Sequence, residues 1–181
     1  MRENHESNGC GFFAFTLMRS PLEWIVSLYD DICHRRLRGH KDTCPQTADM
    51  TSKQEMLKFP HSDGMVSYLT HGWKGWASPG PVNRRDVQAL KVSLESELDL
   101  VAFTEHVPQL RRYLTERFAT SNGKLTEREI YVLKQGSVAN RNTMKTVKLS
   151  DFNHNERARL NATVQLDWEL YRNFEGKPLP W

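Results

Sequence analysis

The chain has 181 residues, of which 38% are hydrophobic and 26% charged; this suits one soluble globular domain and leaves too little chain for two. No apolar run approaches the roughly 18 residues of a membrane span, and the polar opening MRENHESNGC lacks the apolar core of a secretory signal. A formal charge of +3 permits an anionic ligand or polymer without demanding one, and no nucleic-acid-binding motif accompanies it.

Residues 12–18 (FFAFTLM) form a continuous apolar run of strand length, which reads as a strand buried on both faces. Ser20-Pro21-Leu22-Glu23 reads as a helix start, with Ser20 as N-cap, Pro21 at the first helical position and Glu23 completing a capping box. That helix runs to about Leu37 and carries Leu22, Ile25, Val26, Tyr29, Ile32 and Cys33 on one face. Residues 38–50 read as a loop, and short helices are expected at 52–58 and 63–70. A loop with Trp73, Trp76 and Pro79-Gly80-Pro81 follows. A helix over about 84–95 gathers Val87, Leu90 and Leu94, then a strand runs from Leu98 to Phe103 and a helix from about Val107 to Phe118. Residues 119–149 are polar and partly loop, with helix expected at 125–133. One amphipathic helix over about 153–174 places Leu160, Val164, Trp168 and Tyr171 on a stripe. Strands that alternate with helices argue for a layered α/β fold. Two strands make a poor sheet, so further strands are expected upstream of Met1.

Cys10, Cys33 and Cys44 show no C-x-x-C pair and no zinc spacing, which leaves a Cys33–Cys44 disulfide and free thiols both open. No metal is expected. Asn161-Ala162-Thr163 is a glycosylation sequon, faint support for secretory passage. Gly72-Trp73-Lys74-Gly75 and Gly123-Lys124-Leu125-Thr126 do not lie between an apolar strand and a helix, so neither is a phosphate loop. Trp73, Lys74 and Trp76 could stack on and hold a charged sugar, although burial as loop anchors is the plainer role. The pairs Arg84-Arg85 and Arg111-Arg112 could line an acidic glycan groove, with solvated helix faces as the default.

The chemistry concentrates between Phe12 and Tyr29. A buried strand that runs into Met18-Arg19 and then into a capped helix builds an anion site, because free N–H groups and the positive end of the helix dipole point there. Arg19 adds a fork of fixed charge that can hold two phosphate oxygens, and Ser27 adds a hydroxyl from the same helix. The plainer alternative is an arginine paired with a surface carboxylate and a serine facing solvent.

The segment Leu17-Met18-Arg19-Ser20-Pro21-Leu22-Glu23-Trp24-Ile25-Val26-Ser27-Leu28-Tyr29 resembles the 3′-phosphate-binding segment of Golgi carbohydrate sulfotransferases. The heparan sulfate and uronyl 2-O-sulfotransferases are most similar. In that family an arginine ends the strand, a proline opens the helix and a serine follows the arginine by eight residues, the spacing of Arg19 and Ser27. Ser20 stands where an acid or lysine is common, and Trp24 replaces a frequent arginine. Asp99-Leu100-Val101-Ala102-Phe103-Thr104-Glu105 is similar to the family's later strand, with Thr104 and Glu105 read mainly as strand end and helix start and a ligand role as the lesser alternative. Asn140-Arg141-Asn142-Thr143, with Lys145 and Lys148, resembles the basic loop that closes over adenosine and 3′-phosphate. Asp167-Trp168-Glu169-Leu170-Tyr171 looks like the closing acid-x-x-aromatic-Tyr pattern.

The resemblance implies a partial, helix-rich, P-loop-type three-layer domain over residues 1–181, truncated at its N-terminus. It implies an enzyme that moves sulfate from 3′-phosphoadenosine-5′-phosphosulfate to a hydroxyl of an acidic glycan, with Arg19, Ser27, Arg141 and Thr143 on the nucleotide. It further implies the Golgi lumen, with membrane attachment only through a missing anchor, and no nucleic-acid partner. The family's 5′-phosphosulfate loop and catalytic base lie upstream of the Arg19 segment. His5 lies in a polar tail and the other histidines are scattered, so no catalytic residue is assigned and the 181 residues alone are expected not to transfer sulfate. The alternative is a non-catalytic α/β module that binds a nucleotide or an acidic partner.

Overall fold

Ser20 and Pro21 start a helix in the computed structural model, which describes residues 13–37, 53–58, 63–72, 81–120 and 147–179. The Glu23 N–H donates to Ser20 Oγ at 3.4 Å and the Trp24 N–H donates to the Ser20 carbonyl at 2.8 Å. Strand β1 (Phe15–Met18) leads into this helix, α1 (Pro21–Leu37). There follow α2 (Lys53–Leu57), α3 (Gly64–His71), α4 (Arg84–Glu97), β2 (Leu100–Phe103) and α5 (Val107–Thr120), with a 3-10 turn Thr104–His106 between the last two. A second 3-10 turn, Leu149–Asp151, precedes α6 (His154–Thr163) and α7 (Gln165–Glu175). The fold is α/β and helix-rich, with a two-stranded parallel sheet among the described residues.

Local sequence explains several boundaries. Asn83 accepts from the Arg85 N–H at 2.8 Å while Asp86 accepts from the Asn83 N–H at 2.7 Å, which caps α4 from both sides. Asn153 and Glu156 exchange the same pair of bonds at the start of α6, at 2.9 and 2.8 Å. Asn161, the sequon asparagine, accepts from Trp168 Nε1 at 2.9 Å and so has a packing role in this fold.

The strands pair in register, with Phe15 opposite Leu100 and Met18 opposite Phe103. Their apolar residues feed three clusters. One joins α1 (Leu22, Ile25, Val26, Tyr29) to Met56, Val147, Phe152 and Leu160. A second joins Met18 and Phe103 to α3, α4 and α7 through Val66, Val87, Leu170 and Tyr171. A third packs Leu100 and Ala102 against Leu110 and Leu114 of α5. Trp24 lies against both of the first two clusters.

Two expectations need correction. The strand over 12–18 is not buried on both faces: Phe15 and Leu17 are 42% and 43% exposed, because on their face of the sheet α5 packs over Leu100 and Ala102 of β2, whereas Met18 on the other face joins the second cluster. The single helix over 153–174 is two, broken at Val164, whose φ of −126° and ψ of 37° are not helical. The cause lies far away in sequence. The Asp63 N–H donates to the Thr163 carbonyl at 2.9 Å, and Asp63 Oδ1 accepts from the N–H groups of Leu166 and Asp167 at 2.7 and 3.2 Å. Asp167 returns the favour, accepting from Val66 at 2.8 Å and Met65 at 3.2 Å. Each of α3 and α7 is thus capped by a carboxylate belonging to the other.

Gly64 opens α3 directly beneath the indole of Trp24, where an added Cβ would stand 2.6 Å from Cζ3 and 2.8 Å from Cη2. That ring is wedged between two clusters and has little room to retreat. Gly64→Ala is therefore expected to destabilise the protein by about 1–3 kcal/mol, as overpacking does, despite alanine's better helix propensity. Thermal denaturation checks this, and a variant as stable as the parent would contradict the packing.

Candidate functional site

Parallel strands in register end level with one another, so the residues after Met18 and after Phe103 emerge side by side. There the helix N-terminus of α1 and the 3-10 turn after β2 border a cavity of about 530 Å³. Arg19 lines it from the end of β1. Glu23, Val26 and Ser27 line it from α1, where spacings of three and four residues put them on one stripe. Thr104 and Glu105 come from the end of β2, and Val147, Lys148, Leu149 and Ser150 from the segment before α6.

Arg19 is half-buried, and no carboxylate among the described residues pairs with it. A guanidinium held at a cavity wall without a partner is a cation available to a ligand. Among the described residues the plainer alternative, an arginine paired with a surface carboxylate, finds no such carboxylate. Ser27 is exposed on the cavity side of α1. Lys148 is exposed as well; its backbone N–H donates to Asp151 Oδ2 at 2.8 Å, which pins the segment that carries it.

Glu23 differs from expectation. Among the described residues its carboxylate makes no bond back to the Ser20 N–H, so the capping box is half formed, and the side chain lines the cavity instead. Glu105, read as a helix start, also lines the cavity, and its Oε1 accepts from the Tyr171 hydroxyl at 2.6 Å. Tyr171 is 2% exposed. Its ring stands edge-on to Phe103 and Trp168, with centroids 5.0 and 5.6 Å apart. Burial first, then the bond to Glu105 and that residue's charge, push the Tyr171 hydroxyl well above its ordinary range. It is a donor at every physiological pH.

The structure therefore brings Arg19 and Ser27 to one cavity, together with Thr104, Glu105 and Lys148. Arg141, Thr143 and Lys145 lie outside the described residues, as do Trp73, Lys74 and Trp76. Trp24, which replaces a frequent arginine in the resemblance, packs into the core. Arg84 reaches Glu169 at 3.5 Å and Arg112 reaches Glu116 at 2.9 Å, both on solvated helix faces. Among the described residues no cluster of three or more His, Cys, Asp or Glu side chains is arranged to hold a metal ion, and no helix is long and apolar enough to cross a membrane. Glu23 was hidden by its capping position. The Glu105–Tyr171 bond spans 66 positions, and its one sequence signal is an acid directly after a buried strand.

No protein-family model, curated protein or solved structure matches the chain.

Proposed function

We propose that this cavity holds the adenosine 3′,5′-bisphosphate end of 3′-phosphoadenosine-5′-phosphosulfate, within a P-loop-type carbohydrate O-sulfotransferase that works on an acidic glycan in the Golgi lumen. The observation that carries the reading is the Arg19 guanidinium. It stands unpaired among the described residues at the end of β1, beside the N-terminus of α1 and on the same cavity as Ser27 and Lys148. The segment similarities set out above support the same ligand.

Each residue has a distinct task in this reading. Arg19 holds two oxygens of the 3′-phosphate with its fork. The N-terminus of α1 adds the positive end of the helix dipole, its Glu23 and Trp24 N–H groups being taken by Ser20, and Ser27 donates its hydroxyl. Lys148 supplies a second charge from across the cavity; Arg141 and Thr143, outside the described residues, are proposed as further contacts to the nucleotide. The bound donor supplies the sulfuryl group that a sugar hydroxyl attacks. These residues bind and orient that donor. Such holding stabilises ground and transition states alike, so it sets affinity rather than the chemical barrier.

Calorimetric titration with adenosine 3′,5′-bisphosphate tests the reading. Arg19→Ala is expected to weaken binding by about 1.5–3 kcal/mol, the worth of a charge-assisted contact. Ser27→Ala should cost about 0.5–1.5 kcal/mol, since a neutral hydroxyl contributes less. A parent protein that takes up no nucleotide, or an Arg19→Ala protein with the parent's affinity, would rule the assignment out.

A further inference from the structure

Among the described residues four charged side chains line the cavity: Arg19 and Lys148 against Glu23 and Glu105. Their formal charges cancel. A pocket built for a bare anion would not carry two carboxylates, because each repels the ligand that the cations attract. One of these carboxylates is also fixed in place. Tyr171 is packed between Phe103 and Trp168 and holds Glu105 Oε1 at 2.6 Å. Among the described residues the other oxygen, Oε2, has only a long contact of 3.4 Å from Thr104 Oγ1. Among the described residues no cation pairs with Glu105. A carboxylate accepts about four hydrogen bonds, so Glu105 keeps acceptor capacity on a cavity wall.

We propose that Glu105 is a ligand-contacting specificity residue, aimed by Tyr171 as a positioning residue, and that the pair makes the cavity select a phosphate ester bearing a neighbouring hydroxyl or amino group over an inorganic anion. This rests on the reading of the cavity as a nucleotide-phosphate site. The physical logic is a change of sign. Toward inorganic phosphate or pyrophosphate, Glu105 is a like charge that offsets part of the gain from Arg19 and Lys148. Toward a nucleoside phosphate it becomes the acceptor for a ribose hydroxyl or base amino group, a hydrogen bond to a charged partner. Tyr171 serves this by occupying one carboxylate oxygen and orienting the other. Its raised ionisation range keeps the hydroxyl a donor, so the carboxylate is never faced by a phenolate.

The test uses the full chain and two probes, adenosine 3′,5′-bisphosphate and inorganic pyrophosphate, titrated calorimetrically into the parent, Glu105→Gln and Tyr171→Phe. Glu105→Gln preserves shape at an exposed side chain, and Tyr171→Phe preserves the packed ring. Glu105→Gln is expected to weaken nucleotide binding about fivefold or more and to tighten pyrophosphate binding, which collapses the preference. Tyr171→Phe is expected to weaken nucleotide binding about threefold or more and leave pyrophosphate unchanged. Equal changes for both probes would mark Glu105–Tyr171 as a structural tie and overturn the proposal, as would no change for either. A parent that binds neither probe overturns the nucleotide-site reading itself. A parent that binds both, with variants of undiminished preference, overturns only the selectivity argument.

Discussion

Phe103→Ala is expected to lower the stability of the protein by about 3–5 kcal/mol, the usual range for truncating a buried aromatic ring. Phe103 closes β2 at 1% exposure, opposite Met18 in the sheet register. It meets Tyr171 edge-on at 5.0 Å and His106 at 6.1 Å. Its neighbours come from the sheet, α3, α4 and α7, so no single element can move in to fill the void. Against a typical total of about 5–15 kcal/mol, this is a large share. Denaturant titration measures it. A loss under about 1 kcal/mol would mean that the cluster collapses around the gap, contrary to its construction from four directions. The change also removes the wall behind Tyr171, so the proposed nucleotide binding should weaken even where the variant remains folded.

Asp167→Ala is the second large effect, expected at about 2–4 kcal/mol. Asp167 is fully buried and accepts the Met65 and Val66 N–H groups at the start of α3. Alanine would leave both donors orphaned, and each buried orphan costs about 1–3 kcal/mol; lost helix caps alone cost about 0.5–2 kcal/mol. Burial pushes the Asp167 carboxyl up to about 7, with the like charge of Asp63 adding to it and the two backbone donors opposing it. Burial raises Asp63 as well. A carboxyl whose folded value lies above its unfolded one holds its proton more tightly in the folded chain. Its stabilising contribution is complete below the unfolded value near 3.8 and is lost as pH rises through about 7. The parent should therefore be less stable at pH 8.5 than at pH 5.5 through this group, by at most about 1.4 kcal/mol per pH unit within the window. Asp167→Asn cannot ionise and should remove that slope. Urea titrations of parent and Asp167→Asn at the two pH values check it, and parallel slopes would refute it.

The elements around Arg19 were legible because their signals are local. An apolar run, an arginine, a serine cap and a proline at the first helical turn lie within ten consecutive positions, and they make a strand, a charged end and a helix start wherever they occur. The Asn83–Asp86 and Asn153–Glu156 caps are local in the same way. What escaped reading depends on partners that sequence proximity cannot reveal. Nothing near Val164 announces the break between α6 and α7; the cause is Asp63, about a hundred positions earlier. An apolar run such as FFAFTLM states that a strand prefers burial, but where α5 packs on the sheet decides whether Phe15 and Leu17 obtain it. Glu23 had a sufficient local explanation as a capping residue, and that explanation concealed its place on the cavity wall.

Because β1 and β2 run parallel, the chain must travel through α1 to α4 before the sheet can close. The tie between Ala14 and Asp99 at its edge spans 85 positions. Contacts of such long range form late and slowly, since the intervening chain must be ordered before they repay the closure entropy. The cavity exists only after that closure, as its wall is drawn from both strand ends and from the segment before α6. A ligand there recognises nothing in the open chain, so all of its binding free energy is added to the folded state. At a hundred times its dissociation constant this amounts to about 2.7 kcal/mol. Occupancy of the cavity and resistance of the chain to unfolding and proteolysis then rise and fall together.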